Sequence, residues 1–301
     1  MALKKVKAIV LIGCAIVLGA GLFALCQKET SHVAALSLEL TRSDLPYVRA
    51  EIEGISCPLV IDTGSCLESY IATQILDQLT CKVPLKSIEK WKTVKGEEFR
   101  SPTYSVPKMT LGEMRYRNPI IVPSSVDNSE TFLFWEDPGV KNTPHETAGH
   151  IGRPLLKKRN FLLDVKNKRM LFAKRIEALS EADYDPHTFF TVPFEITSKG
   201  MILSVDTDLG CKRLSFDTGA TLTILHDHLY PKSIEMQKDH RGISFCKTLT
   251  FKMNGKDFGK KNLYFLTMPK DFDVDGILGM DFIQNHVIYI DFPKKTLYIQ
   301  S

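Results

Sequence analysis

The sequence predicts an all-β chain of two pseudo-symmetric β-barrel lobes, preceded by an N-terminal hydrophobic helix. Two observations predict it. A short pattern occurs twice, as Leu-Val-Ile-Asp-Thr-Gly-Ser from Leu59 to Ser65 and as Leu-Ser-Phe-Asp-Thr-Gly-Ala from Leu214 to Ala220. Around both copies, apolar and polar residues alternate as in half-buried strands, with turn residues between the runs. The composition is that of a globular protein: of 301 residues, 44% are hydrophobic and 25% charged, which excludes a disordered chain. A net charge of +4, from 39 basic and 35 acidic residues, is too mild for a nucleic-acid-binding surface.

The N-terminal helix is read from residues 1–30. Lys4, Lys5 and Lys7 precede an uncharged run from Ala8 to Cys26, which Gln27-Lys28-Glu29 ends. As a helix that run rises about 28 Å, close to the thickness of a bilayer core. A basic start before an apolar run marks export, as a signal peptide or a membrane anchor. Ala24-Leu25-Cys26 is a poor small-x-small cleavage site, which favours an anchor. The lysines then stay cytoplasmic and the rest lies on the extracytoplasmic side, or is secreted or periplasmic if the leader is cleaved.

The repeat organises the remainder. Leu36, Leu38 and Leu40 alternate with polar residues ahead of Asp62, and Val192, Phe194 and Ile196 do so ahead of Asp217. Tyr47 to Ile52 and Met201 to Val205 give each copy its next strand. Further on, His150-Ile151-Gly152-Arg153-Pro154-Leu155-Leu156 aligns with Ile277-Leu278-Gly279-Met280-Asp281-Phe282-Ile283. Asp164 and Asp291 then each close an apolar run and lead through a Lys-rich turn to a last strand, a hairpin signature in both copies. These matches divide the chain into a first half at 31–173, a connector at 174–187 with a short helix over Ile176 to Ala182, and a second half at 188–301. Ser124 to Glu146, rich in Asp, Asn, Ser and Pro, reads as a long surface loop of the first half.

A lone Asp-Thr-Gly arises by chance in roughly one chain in twenty of this length at ordinary residue usage. Two copies at matching points of a repeat carry far more weight, and their residue types fit one chemistry. Hydrolysing a peptide bond needs an activated water and an acid for the leaving nitrogen. Two adjacent carboxyls supply both, because neighbouring like charges resist ionising together and so share one proton. Asp62 and Asp217 are the candidate catalytic pair. Gly64 and Gly219 allow tight turns whose N–H groups approach a carboxylate. Thr63 and Thr218 are placed to hydrogen-bond across the axis between the copies. Ser65 can donate a further hydrogen bond to Asp62, which Ala220 cannot do for Asp217, so Asp62 is expected to be the better-stabilised anion.

On these residues the chain resembles the retropepsin-like, retroviral-type aspartic protease family over nearly everything after residue 35. The resemblance rests on Asp62 to Ser65, Asp217 to Ala220, and the later apolar-Gly elements Ile151-Gly152 and Leu278-Gly279. Retroviral enzymes pair two subunits; this chain looks like a covalent version with both halves in one polypeptide. The halves are shorter than pepsin lobes, which favours the retroviral comparison. The resemblance implies an endopeptidase that works as a monomer, without metal or cofactor, on an extended polypeptide under flap hairpins. The flap candidates are Lys92 to Arg100, with Lys95 and Gly96 at the tip, and Asp239 to Phe245, with Arg241 and Gly242. The alternative is an inactive peptide-binding relative; both aspartates and both threonines being intact favours the enzyme. His150 departs from the family pattern, standing where the second copy has Ile277, either packed beside the cleft or in pH-sensitive contact with the site.

Three other features carry no function on this reading. Asp271-Phe-Asp273-Val-Asp275-Gly276 begins like a calcium loop, but Phe282 stands where a ligand is needed. His226-Asp227-His228 places two histidines on one face of a strand with no third ligand evident in sequence. Of seven cysteines, Cys57, Cys66, Cys81, Cys211 and Cys246 lie beyond the leader, an odd count at irregular spacing and no disulfide framework.

Overall fold

A computed structural model of the chain describes residues 33–92, 98–124, 147–231 and 236–300. It is an all-β, two-lobed body with a few short helices. Residues 1–30, read as the leader, and most of the 124–146 loop lie outside the described residues. Among the described residues no helix is long and apolar enough to cross a membrane.

One six-stranded sheet is shared by the halves, in the order Ala34–Ser37, Arg169–Phe172, Phe161–Asp164, Val287–Asp291, Thr296–Gln300, Phe190–Pro193. Each half gives three strands. The central pair is antiparallel, with Leu162 opposite Tyr289 and Leu163 opposite Ile288. Both hairpins turn through an aspartate: Asp164 Oδ1 accepts the Asn167 N–H at 3.0 Å and Asp291 Oδ1 the Lys294 N–H at 3.1 Å. Phe161, Leu163, Ile288 and Ile290 are fully buried, and each such side chain stabilises the fold by about 1.5–3 kcal/mol.

Each half also builds a ten-stranded sheet, and the two have the same order. The first runs Val83–Lys92, Glu98–Ser105, Ile120–Ser124, Ser69–Ala72, Gly149–Gly152, Ile55–Asp62, Pro46–Ile52, Lys108–Leu111, Met114–Arg117. The second runs Gln237–Lys238, Ser244–Thr248, Lys261–Leu266, Ile224–His226, Gly276–Leu278, Gly210–Phe216, Gly200–Thr207, Phe251–Met253, Lys256–Asp257. Glu39–Leu40 and Glu195–Thr197 complete them as short strands beside Pro46–Ile52 and Gly200–Thr207.

The alternating runs at the start of each half are therefore not single strands. Ala34–Ser37 belongs to the shared sheet and Glu39–Leu40 to the lobe, and Phe190–Pro193 and Glu195–Thr197 divide in the same way. The pivots are Leu38 and Phe194, both buried, whose N–H groups donate to the carbonyls of Lys168 and Lys295 at 2.9 Å each. Alternation continues through the change of sheet, so it does not betray the break. In the connector, Ile176–Ala182 is a 3-10 helix rather than an α-helix, and Pro186–Thr188 is a second one. The five cysteines from Cys57 onward are free thiols.

Candidate active site

Asp62 ends the strand Ile55–Asp62, and Asp217 follows directly on Gly210–Phe216. Each strand lies inside its lobe sheet and pairs in parallel with the apolar-Gly strand, Gly152 standing opposite Asp62 and Leu278 opposite Phe216. Leu59, Ile61, Leu214 and Phe216 are buried and fix where the strands end. The loops that follow meet face to face. A Cβ on Gly64 would collide with the Asp217 carboxyl, and one on Gly219 would press on that of Asp62. Glycine is needed there because the opposing acid occupies the space of a side chain.

The threonines join the loops. The Thr63 N–H donates to Thr218 Oγ1 and the Thr218 N–H to Thr63 Oγ1, both at 3.0 Å. The Thr63 hydroxyl donates to the Phe216 carbonyl at 3.0 Å, and the Thr218 hydroxyl donates to the Ile61 carbonyl. Both threonines are fully buried. Every polar atom of these side chains thus bonds to the other half, which sets the distance between the aspartates.

The two carboxyls face each other closely enough to perturb one another's ionisation. Asp62 Oδ1 accepts the Ser65 N–H at 2.9 Å, and Asp217 Oδ1 the Gly219 N–H at 2.8 Å. Burial pushes Asp217 up to about 8, and the neighbouring charge of Asp62 adds to the rise. Burial also raises Asp62, but the Ser65 N–H, the bond with Asp217, the Gly64 N–H and the positive charge of Arg153 oppose it. Both acids are thus held above the ordinary carboxyl range, and more of the groups that favour an anion gather on Asp62.

The Ser65 hydroxyl, read from sequence as a donor to Asp62, is not among those groups. The Ser65 hydroxyl pairs with His150 Nε2 at 3.1 Å and accepts the Leu67 N–H at 3.2 Å, and Ser65 meets Asp62 through its main chain. The residue that sequence reasoning missed is Arg153. It is 6% exposed, and its Nη1 donates to the Thr63 carbonyl at 3.2 Å. The second half has Met280 at the matching position. That mismatch, a charge where the second copy has an apolar residue, was the available signal. Ala220 is buried and its side chain adds no polar group.

The flap candidates fall on hairpins. Val83–Lys92 and Glu98–Ser105 pair antiparallel up to Lys92 opposite Glu98, while Lys95 and Gly96 lie outside the described residues. Arg241 and Gly242 occupy the turn between Gln237–Lys238 and Ser244–Thr248. Asp239 holds that turn by accepting from the Arg241 and Ile243 N–H groups and pairing with the Arg241 guanidinium at 2.7 Å, and Gly242 takes a φ of +81°. Away from the pair, Asp227 does join His226 and His228: the three ligand atoms lie within 4.8 Å of one another. Thr267 donates to Asp227, whose other oxygen lies 2.7 Å from His226 Nδ1, so the group already has protein partners. Asp275 accepts the Arg213 N–H at 2.7 Å, a strand-edge contact rather than a calcium loop.

No protein-family model matches the sequence, and no curated protein does. Among solved structures, the chain is similar to the aspartic proteinase from Irpex lacteus, with a TM-score of 0.60 and 13% identity over 90% of this chain and 97% of that one. At that identity the likeness is one of fold, and the chain therefore has the fold of an aspartic protease.

Proposed function

We propose that this chain is an aspartic endopeptidase, in which Asp62 and Asp217 activate a water against a peptide bond. The observation that carries the reading is the half-buried carboxyl pair, brought face to face by the two Asp-Thr-Gly loops, with both acids raised above the ordinary carboxyl range. Two carboxyls sharing one proton is the established chemistry of aspartic proteases. Asp62 takes a proton from water as the water oxygen attacks the carbonyl carbon, while protonated Asp217 donates to the carbonyl oxygen. The tetrahedral adduct then breaks its C–N bond: the nitrogen leaves with the proton held by Asp62, and one hydroxyl of the adduct returns its proton to Asp217 as the new C=O forms. One acid and one amine result, and the pair again holds one proton.

The substrate on this reading is an extended polypeptide lying between the hairpins at 83–105 and 237–248. Both acids belong to one chain, which supports action as a monomer, and the basic-apolar leader supports action outside the cytoplasm. The test is digestion of unfolded protein in water enriched in oxygen-18, with and without a pepstatin-type inhibitor. The expected result is inhibitor-sensitive cleavage, with label in the new carboxyl groups. A chain that binds peptides from mildly acid to neutral pH and cuts none is a binding module instead.

A further inference from the structure

The surroundings of Asp62 differ from those of Asp217 in one further residue, His150. Its strand, Gly149–Gly152, runs between Ile55–Asp62 and Ser69–Ala72, placing His150 opposite Val60 and Tyr70. The ring is 5% exposed and stacks on Tyr70, centroids 5.3 Å apart at 18°. Nε2 lies 3.1 Å from Ser65 Oγ, and Nδ1 lies 3.9 Å from Asp62 Oδ2. The matching residue of the second half, Ile277, offers no polar atom.

A hydroxyl three residues after a carboxylate on a tight loop is well placed to donate to the anion, and such a bond lowers the acid's pKa. Here the loop delivers the Ser65 N–H to Asp62 Oδ1, but the hydroxyl turns to the histidine and to the Leu67 N–H. We propose that His150 is a positioning residue that holds the Ser65 hydroxyl away from Asp62 and thereby raises the pH at which the carboxyl pair takes up its second proton. The kinetic consequence rests on the hydrolytic reading above; the hydrogen-bond competition does not.

The competition operates over the whole working range. Burial lowers His150 to about 3, so the ring stays neutral, and Nε2 can take the Ser65 proton while Ser65 Oγ accepts from Leu67. The other charged or titratable groups around Asp62 are Asp217 from the opposite loop, the Arg153 guanidinium and the Cys66 thiol; His150 faces Ser65, Asp62 and Tyr70. Changes confined to residues 65 and 150 leave Asp217, Arg153, Cys66 and Tyr70 in place, so shifts among those variants report the hydroxyl.

The test is a double-mutant cycle on the full chain with the aspartate side-chain carboxyl carbons labelled with carbon-13. Nuclear magnetic resonance reads both protonation steps of the pair, and the pH profile of kcat/KM is recorded beside it. His150→Ile frees the hydroxyl to donate to Asp62, and the acid-side midpoint falls by roughly one pH unit. Adding Ser65→Ala to that variant removes the gain. Ser65→Ala alone leaves the midpoint in place, because the hydroxyl is not on Asp62 to begin with. The proposal is overturned if His150→Ile leaves the midpoint unmoved, or if Ser65→Ala alone raises it by roughly one unit. Should His150→Ile fail to fold, the Ser65→Ala arm decides by itself. A purely structural histidine lowers Tm without moving the midpoint. A chain that titrates as described yet cleaves nothing removes the protease reading and leaves this one standing.

Discussion

Thr63 and Thr218 each donate a backbone N–H to the other's Oγ1 at 3.0 Å, so the two halves are tied together by reciprocal bonds between equivalent residues. Thr218→Ala leaves the Thr63 N–H and the Ile61 carbonyl buried without a partner. Each such group costs about 1–3 kcal/mol, so the variant is expected to lose about 2–4 kcal/mol of stability as read by urea unfolding. Thr218→Ser keeps the hydroxyl and loses much less. Equal stability of the Ala and Ser variants would show that the bonds are not what joins the loops.

Arg153→Met gives the first half the residue that the second half carries at Met280. Removing the positive charge that favours the Asp62 anion raises that acid's pKa. The acid limb of the kcat/KM profile is expected to move up by roughly half to one pH unit. The variant also leaves the Thr63 carbonyl without its guanidinium partner, at a cost of about 1 kcal/mol. An unmoved acid limb would remove Arg153 from the electrostatics of the pair.

Asp217 is raised from 3.8 to about 8 by burial and by the Asp62 charge. Between those values the folded chain holds a proton that the unfolded chain has released. This contribution to stability is therefore fully present below about pH 4 and is lost as pH rises toward 8. Asp217→Asn removes the titration, and the variant is expected to lose less stability than the wild type between pH 4 and 8 in denaturant unfolding followed across that range. Parallel curves for the two proteins would contradict the raised pKa of Asp217.

Gly64→Ala places a methyl group where the Asp217 carboxyl lies. The loops must separate to admit it, which moves the two acids apart. Activity is expected to fall at least about 100-fold, since misplacement on the ångström scale costs that much, with only a small change in KM. Activity within a few-fold of wild type would mean that the carboxyls need not be so close.

Much of this was legible in the sequence because the chain states it twice. The pair, the Thr–Thr exchange and the glycines occur at equivalent points of two copies, and a repeated feature stands out from chance. What was not legible occurs once. Arg153 stands out against Met280, but nothing in the linear order shows that its guanidinium folds onto the Thr63 carbonyl, and the Ser65 hydroxyl points to Asp62 on paper because nothing in that order brings His150 beside it. The change of sheet at Leu38 and Phe194 was hidden because alternation has the same period in both sheets.

The most direct measurement is digestion of an unbiased peptide library by the wild type, Asp62→Asn and Asp217→Asn, each shown to be folded. A water-activating pair that needs both acids predicts cleavage by the wild type and a loss of about a thousandfold or more in each variant. Cleavage by either variant at the wild-type rate would contradict it.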